Sequence, residues 1–365
     1  MGMITDVPGV LVGHANVRGN SAGGGLFTGV TAILPGPSSG TTEGGSKDAF
    51  DRKYPAGMYV SNGFGKSLGL VQVDELGCLE TPILLTNTLS VGTCFTALAQ
   101  WALDRHPQIG DTTGTVNPVV MECNDGPIND IRAMGVGAED AFRAMDAASA
   151  TFEEGAVGAG SGMTCFGLKG GIGSASRKLT FDGAEFTIGI LVMTNFGSLE
   201  RLRIAGEPIG ERICAAQSHE TRDGHDKGSI VSVIATDLPL DSRQLKRLAK
   251  RVTVGIARCG GYIGNGSGEI VLAFSTANRI DHWAGKSGRP MIDTAARLND
   301  NAMDDCFAAV ADMSEEAILR SLLRAHTVVG RTGKPTYCLK DAAARAEVAL
   351  PDCIRDLCGT CGTCD

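Results

Sequence analysis

The stretch Gly264-Asn265-Gly266-Ser267-Gly268-Glu269 runs straight into the apolar segment Ile-Val-Leu-Ala-Phe. It reads as a flexible junction feeding a strand. A serine hydroxyl at such a junction can attack the carbonyl of the residue before it. That N→O acyl shift needs an unhindered carbonyl and unusual backbone dihedrals, and Gly266 removes the Cβ that would block both. Hydrolysis of the resulting ester leaves Ser267 with a free α-amino group, whose ordinary pKa of about 7.7–8 suits a base at neutral pH. Nucleophile and base then share one residue, anchored on a strand. Taken alone, the six residues also describe a plain glycine-rich hairpin turn, so the rest of the chain has to decide.

Other signatures of chemistry fail. A phosphate-binding loop needs G-x4-G-K-[ST]; Gly65-Lys66-Ser67 supplies its end, but Val60 stands where the first glycine belongs. Gly158, Gly160 and Gly162 lack the last interval of a dinucleotide fingerprint. Asn265 and Glu269 flank Ser267 where a G-x-S-x-G elbow needs glycines. No H-E-x-x-H occurs, and His14 and His326 read as packed or surface histidines. Four cysteines, Cys353, Cys358, Cys361 and Cys364, crowd residues 353–365 with the spacing of a metal clip, or of an oxidisable tail. The others lie scattered, and Cys78, Cys94, Cys214 and Cys306 read as small buried hydrophobes of a reduced, cytoplasmic protein.

These groups need elements to hold them. Apolar runs at Ala32–Leu34, Pro82–Leu85, Pro118–Met121, Phe186–Thr194, Ile230–Thr236 and Ile270–Ser275 read as strands. A helix starts after Asp241 as N-cap, with Leu245, Leu248, Ala249, Val252 and Ile256 on its apolar face. Further helices are expected near Cys94–Leu103, Ala138–Ala147, Asp304–Ala311 and Ser314–Ala325. Strands mixed with helices indicate layered α/β or α+β packing in one large domain. Its 365 residues suffice for a full core, and 50 glycines point to many tight turns and close backbone approaches. Glycine-rich stretches at Gly23–Gly45 and Gly155–Gly173 read as loops feeding a site. A net charge of −8 without a long basic run argues against nucleic acid, and no apolar stretch is long enough for a membrane helix. The proposed chemistry calls for no metal or organic cofactor.

Several blocks in order resemble the β-peptidyl aminopeptidase family, also known as the L-aminopeptidase/D-esterase family. They include Ile4-Thr-Asp-Val-Pro-Gly, Asn62-Gly-Phe-Gly, Leu79-Glu-Thr-Pro-Ile-Leu-Leu-Thr-Asn-Thr, Glu122-Cys-Asn-Asp-Gly, Lys169-Gly-Gly-Ile-Gly, Thr194-Asn-Phe-Gly, Gly264-Asn-Gly-Ser-Gly and Ala273-Phe-Ser-Thr-Ala-Asn. The resemblance implies a four-layer αββα sandwich like that of N-terminal-nucleophile hydrolases, with different strand connectivity. It implies self-cleavage into 1–266 and 267–365, and a homo-oligomer of two-fragment protomers. The implied activity is release of N-terminal residues (L-, D- or β-) from short peptides, amides or esters bearing a free amine.

By that resemblance Ser267 is the nucleophile and Gly266–Ser267 the bond cut. Asn195 supplies an N–H to the oxyanion hole, although Asn-Phe-Gly also reads as a turn. Glu122 pairs with the substrate's ammonium, or is a strand-end glutamate at the surface. Asn124 stands where some members carry an aromatic residue, often tyrosine. Ser314 and Glu316 match a Ser-x-Glu pair that orients the nucleophile, while Ser314 also reads as a helix N-cap with glutamates in the first turn. The segment Ile280–Leu298 is longer than usual for the family. Two other functions remain: acyl transfer of the ornithine acetyltransferase type, whose nucleophile is threonine, and a silent, uncleaved assembly protein.

Overall fold

The computed structural model describes residues 2–36, 48–217, 228–286 and 288–358. Its long strands are β1 (Leu11–Gly19), β2 (Leu26–Leu34), β3 (Arg52–Gly63), β4 (Ile83–Asn87), β5 (Val119–Cys123), β6 (Ile172–Phe181), β7 (Ala184–Asn195), β8 (Ser229–Thr236) and β9 (Gly268–Ser275). Its helices are α1 (Leu70–Leu76), α2 (Val91–Arg105), α3 (Ala138–Asp146), α4 (Ile209–Gln217), α5 (Ser242–Ala249), α6 (Val252–Arg258), α7 (Met303–Leu323) and α8 (Leu339–Arg345). One sheet has the order β1-β2-β4-β5, and the larger one carries β3-β9-β8-β7-β6. Neighbours are antiparallel except β4/β5 and β8/β9. Parallel pairs need a crossover, which α2 supplies for the first and α5 with α6 for the second.

The sheets face each other across a dry core, where Ile33, Leu85 and Met121 meet Leu191, Val233 and Leu272. On the outside, α2 and α3 set Leu98 and Ala141 against Val30, Leu84 and Val120 of the smaller sheet. On the far side, α5, α6 and α7 bring Leu245, Ile256, Val310 and Leu322 onto Ile190, Ile234 and Val271. Each such fully buried aliphatic side chain contributes roughly 1.5–3 kcal/mol relative to exposure. The result is the four-layer αββα sandwich of the sequence reading.

The expected strands are present, mostly longer than their apolar runs. β1, β3 and β6 had no such run, for a physical reason. Each carries a glycine where a helix backbone crosses the sheet. A Cβ at Gly13 would lie 2.2 Å from the Ala144 carbonyl oxygen, at Gly57 2.5 Å from that of Ser242, and at Gly173 1.9 Å from that of Ala317. Close crossing demands glycine, and glycine hides a strand from a hydrophobicity reading.

Two helix expectations are corrected. Asp304–Ala311 and Ser314–Ala325 belong to one helix, α7, because nothing at Asp312 or Met313 breaks it. Conversely, the helix after Asp241 divides into α5 and α6 at Lys250-Arg251, where Arg251 N turns to the Leu248 carbonyl at 2.8 Å. Asp241 does cap it, accepting from Gln244 N at 2.7 Å in a capping box.

Candidate active site

Ser267 stands immediately before β9, which runs between β8 and β3 inside the larger sheet. Gly268 is opposite Ser229 on β8 and Gly63 on β3, so the start of the strand is held from both sides. Residues Gly264 to Ser267 make a turn closed by Ser267 N donating to the Gly264 carbonyl at 3.0 Å. Ser267 is fully buried, and its Oγ donates to Glu269 Oε1. Alternation along the strand puts both on the helix-facing side, with Val271 and Ala273.

The loop after β3 organises this junction. Asn62 Nδ2 donates to the carbonyls of Gly264 at 3.0 Å and Asn265 at 3.3 Å, and also to that of Ser267. Phe64 closes over Gly268, where a Cβ would lie 2.7 Å from the Phe64 carbonyl oxygen. Lys66 N then donates to Glu122 Oε1 at 2.7 Å.

Glu122 is buried at the end of β5, which excludes a surface glutamate. Its Oε2 accepts from Thr88 Oγ1. Each carboxylate oxygen can accept more than one hydrogen bond, so the group retains capacity for an ammonium. Next to it, Cys123 Sγ lies 3.5 Å from the Ser229 carbonyl and 3.6 Å from that of Met193, tying the two sheets together at this end. Burial and the Glu122 carboxylate push the Cys123 thiol well above its usual range, so it stays protonated.

Asn195 ends β7 opposite Ser229, in the same row as Gly268. Two strand spacings therefore separate its backbone from that of Gly268, roughly 10 Å. It is buried, and its amide orientation is fixed. Oδ1 accepts from Thr164 N at 3.0 Å and Thr164 Oγ1 at 3.3 Å, and Nδ2 donates to the Asn124 carbonyl at 2.9 Å. An amide nitrogen carries two N–H groups; Asn124 takes one. The Asn124 side chain is exposed and turns to Gly126 N at 2.9 Å, so its backbone and not its side chain joins the cluster.

Ser314 and Glu316 are not brought to this cluster. Ser314 lies in the middle of α7, which removes the N-cap reading, and its Oγ donates to the Val310 carbonyl at 2.6 Å. It packs on α6, where a Cβ at Gly255 would lie 2.5 Å from the Ser314 Cβ. Glu316 pairs with Arg177 at 2.7 Å and Arg320 at 3.5 Å. The helical register that carries α7 unbroken past Met313 sends both side chains to neighbours other than Ser267. The α7 residue that does reach this end of the sheet is Ser321, whose Oγ is 2.8 Å from Thr194 Oγ1.

The sequence profile of peptidase family S58 matches residues 2–336. The chain belongs to peptidase family S58. It is similar to the β-peptidyl aminopeptidase BapA of Sphingosinicella microcystinivorans, 39% identical over 94% of this chain and 86% of that one. Among solved structures, it resembles the PH0078 protein of Pyrococcus horikoshii OT3 (45% identity, TM-score 0.84, covering 95% of this chain and 93% of that one). It also resembles the L-aminopeptidase D-Ala-esterase/amidase of Ochrobactrum anthropi, described as a prototype serine aminopeptidase with a variant of the Ntn hydrolase fold (34% identity, TM-score 0.83, covering 95% and 94%). This S58 peptidase is therefore a hydrolase, and neither acyl transfer nor a silent assembly is the reading its relatives favour.

Three residues of this S58 peptidase escape a sequence reading. Asn62 stood in a quoted block, but only the β9/β3 register brings it to Ser267, while Glu269, seen only as a flanking residue, reaches the hydroxyl through the alternation of its own strand. Lys169 is fully buried, and its Nζ reaches the carbonyls of Gly160 (3.0 Å), Met163 (2.7 Å) and Gly170 (2.7 Å). It thereby holds the backbone just ahead of Thr164, the residue that donates to Asn195. Burial pushes the Lys169 pKa down to about 7, and burial likewise raises nearby Asp125 to about 6. The signal available in sequence was a lysine and an aspartate inside glycine-rich blocks. Among the other cysteines, Cys78, Cys94 and Cys306 are buried, and Cys214 is half-buried. Cys353 is exposed, while Cys361, Cys364 and the Cys358 side chain lie outside the described residues.

Proposed function

We propose that this S58 peptidase cuts its own Gly266–Ser267 bond and then works as an N-terminal-serine aminopeptidase. The observation that carries this reading is the setting of Ser267: fully buried, at the end of a tight turn, immediately ahead of an inner strand. Cleavage would give fragments 1–266 and 267–365 and convert the Ser267 peptide nitrogen into an α-amine. That amine, with a pKa of about 7.7–8 in the ordinary case, takes the Oγ proton during turnover. Ser267 Oγ attacks the scissile carbonyl of a substrate and holds the acyl group until water releases it. The free Asn195 N–H is the candidate donor to the developing oxyanion. Glu122 is the candidate partner of the substrate ammonium, which restricts action to the N-terminal residue.

Substrates of this reading are short peptides, amides or esters with a free amine, as the names of its relatives suggest. A homo-oligomer of two-fragment protomers and a cytoplasmic setting complete it. Free cysteines throughout the described residues suit a reducing compartment, and no helix among them is long and apolar enough to cross a membrane. The test is the intact mass under denaturing conditions of the wild type beside Ser267→Ala. Two fragments in the wild type, the smaller starting at Ser267, and one chain in the variant are expected. One full-length mass in both would remove the reading.

A further inference from the structure

Self-cleavage leaves one proton without an obvious destination. Ser267 Oγ must lose it on attack, yet the Ser267 nitrogen is then a peptide nitrogen and no base. The α-amine that serves turnover does not yet exist. A carboxylate stands at the required place. Glu269 Oε1 accepts the hydrogen bond of Ser267 Oγ, and both side chains are buried. The strand that carries Glu269 is locked by its ladders, with Glu269 opposite Ile230 of β8 and Asn62 of β3. Asn62 in turn holds the carbonyls of Gly264, Asn265 and Ser267. The Gly266 carbonyl, the one under attack, is not among its acceptors.

Resting on the self-processing reading above, we infer that Glu269 is the general base of the cleavage step. Glu269 Oε1 takes the Ser267 Oγ proton as the bond from Oγ to the Gly266 carbonyl carbon forms. The carbonyl oxygen becomes the oxyanion. As it collapses, the bond from that carbon to the Ser267 nitrogen breaks, and Glu269 returns the proton to the nitrogen. The products are an ester from Gly266 to Ser267 Oγ, a free α-amine and the original carboxylate. Water then hydrolyses the ester, giving the Gly266 carboxylate and restoring the Ser267 hydroxyl. No other reactant is needed.

The experiment is cell-free synthesis of the full chain as wild type, Glu269→Gln, Glu269→Asp and Ser267→Ala. The reaction is quenched at intervals between pH 5 and 9, and the fragment starting at Ser267 is quantified by mass. A positioned base is worth 10²–10⁴ in rate, so Glu269→Gln should cut at least about 100-fold more slowly. Its residual rate should rise with pH as hydroxide takes over, while Glu269→Asp should keep the wild-type profile at a reduced rate. Cleavage of Glu269→Gln within threefold of wild type overturns the inference. So does equal slowing of the Gln and Asp variants with an unchanged pH profile, the mark of a merely structural role. If the Gln variant fails to fold, Glu269→Met, similar in length and without basicity, carries the same decision. A wild type that stays one chain, like Ser267→Ala, defeats the self-processing reading itself and is distinguishable from both.

Discussion

Replacing Asn195 by alanine separates what this residue does for the fold from the oxyanion role proposed for it. The substitution removes an acceptor from Thr164 N (3.0 Å) and Thr164 Oγ1 (3.3 Å) and a donor from the Asn124 carbonyl (2.9 Å). Net hydrogen bonds are worth about 0.5–1.5 kcal/mol each. The site is buried, so the variant should lose roughly 2–4 kcal/mol of unfolding free energy. The chemical loss is separate. Removing one oxyanion donor costs about 10²–10³ in kcat, or about 2.7–4 kcal/mol of barrier. Because the proposed cleavage would precede turnover, kcat must be referred to the fraction of chains with a free Ser267 N-terminus, counted by mass. Denaturant unfolding measures the first quantity, and hydrolysis of an aminoacyl amide under saturation measures the second. Asn195→Asp is the companion: it keeps the acceptor facing Thr164 and supplies no N–H, so it should recover part of the stability and none of the rate. The reasoning is refuted if cleaved Asn195→Ala turns over within threefold of the wild type.

Glu122→Gln keeps an oxygen for Lys66 N and loses the charge. Hydrogen bonds to charged groups are worth about 1.5–3 kcal/mol, so KM for free-amine substrates should rise about 10- to 100-fold, and an unchanged KM would remove Glu122 from substrate binding. Asp125 is an acid whose folded pKa is raised to about 6 by burial. The folded state therefore holds that proton more tightly than the unfolded state, and stability should fall as pH rises from about 4 to about 6. Asp125→Asn should abolish this contribution, roughly 3 kcal/mol at most. His14, lowered by burial to about 4, acts with the opposite sign but is common to both proteins and cancels in the difference. Parallel stability–pH curves for the two proteins would refute the assignment. Gly171→Ala should destabilise by several kcal/mol or prevent folding, since its Cβ would lie 1.9 Å from the Gly155 carbonyl oxygen at φ +144°. Gly92→Ala, in α2 with open space at its Cβ, should be neutral or gain up to about 1 kcal/mol; equal thermal shifts in both would contradict the packing described.

The turn and strand around Ser267 were legible because they are contiguous. A small residue before a hydroxyl, followed by an apolar run, is a property of neighbours in the chain, and the strand it announced is β9. Hydrophobic runs likewise announced β7 and β8, which bury both faces. The αββα arrangement followed from the family resemblance rather than from periodicity.

What tertiary structure alone decided was register and contact. Ser314 and Glu316 carry suitable chemistry and spacing, but a helix of 21 residues points them at Val310, Arg177 and Arg320. Asn62 acquires its place only when β3 pairs with β9, more than 200 positions away in the chain. Glu269 was in view all along as a flanking residue. Its nearness to the hydroxyl depends on the extended backbone that puts alternate side chains on one face. β1, β3 and β6 were hidden because a helix crossing at contact distance selects glycine over the apolar residues that advertise a strand. Sequence fixes which groups are available and what neighbours in the chain can do together. Which distant groups meet is set by pairing and packing, whose energies belong to the whole core and to no single stretch of it.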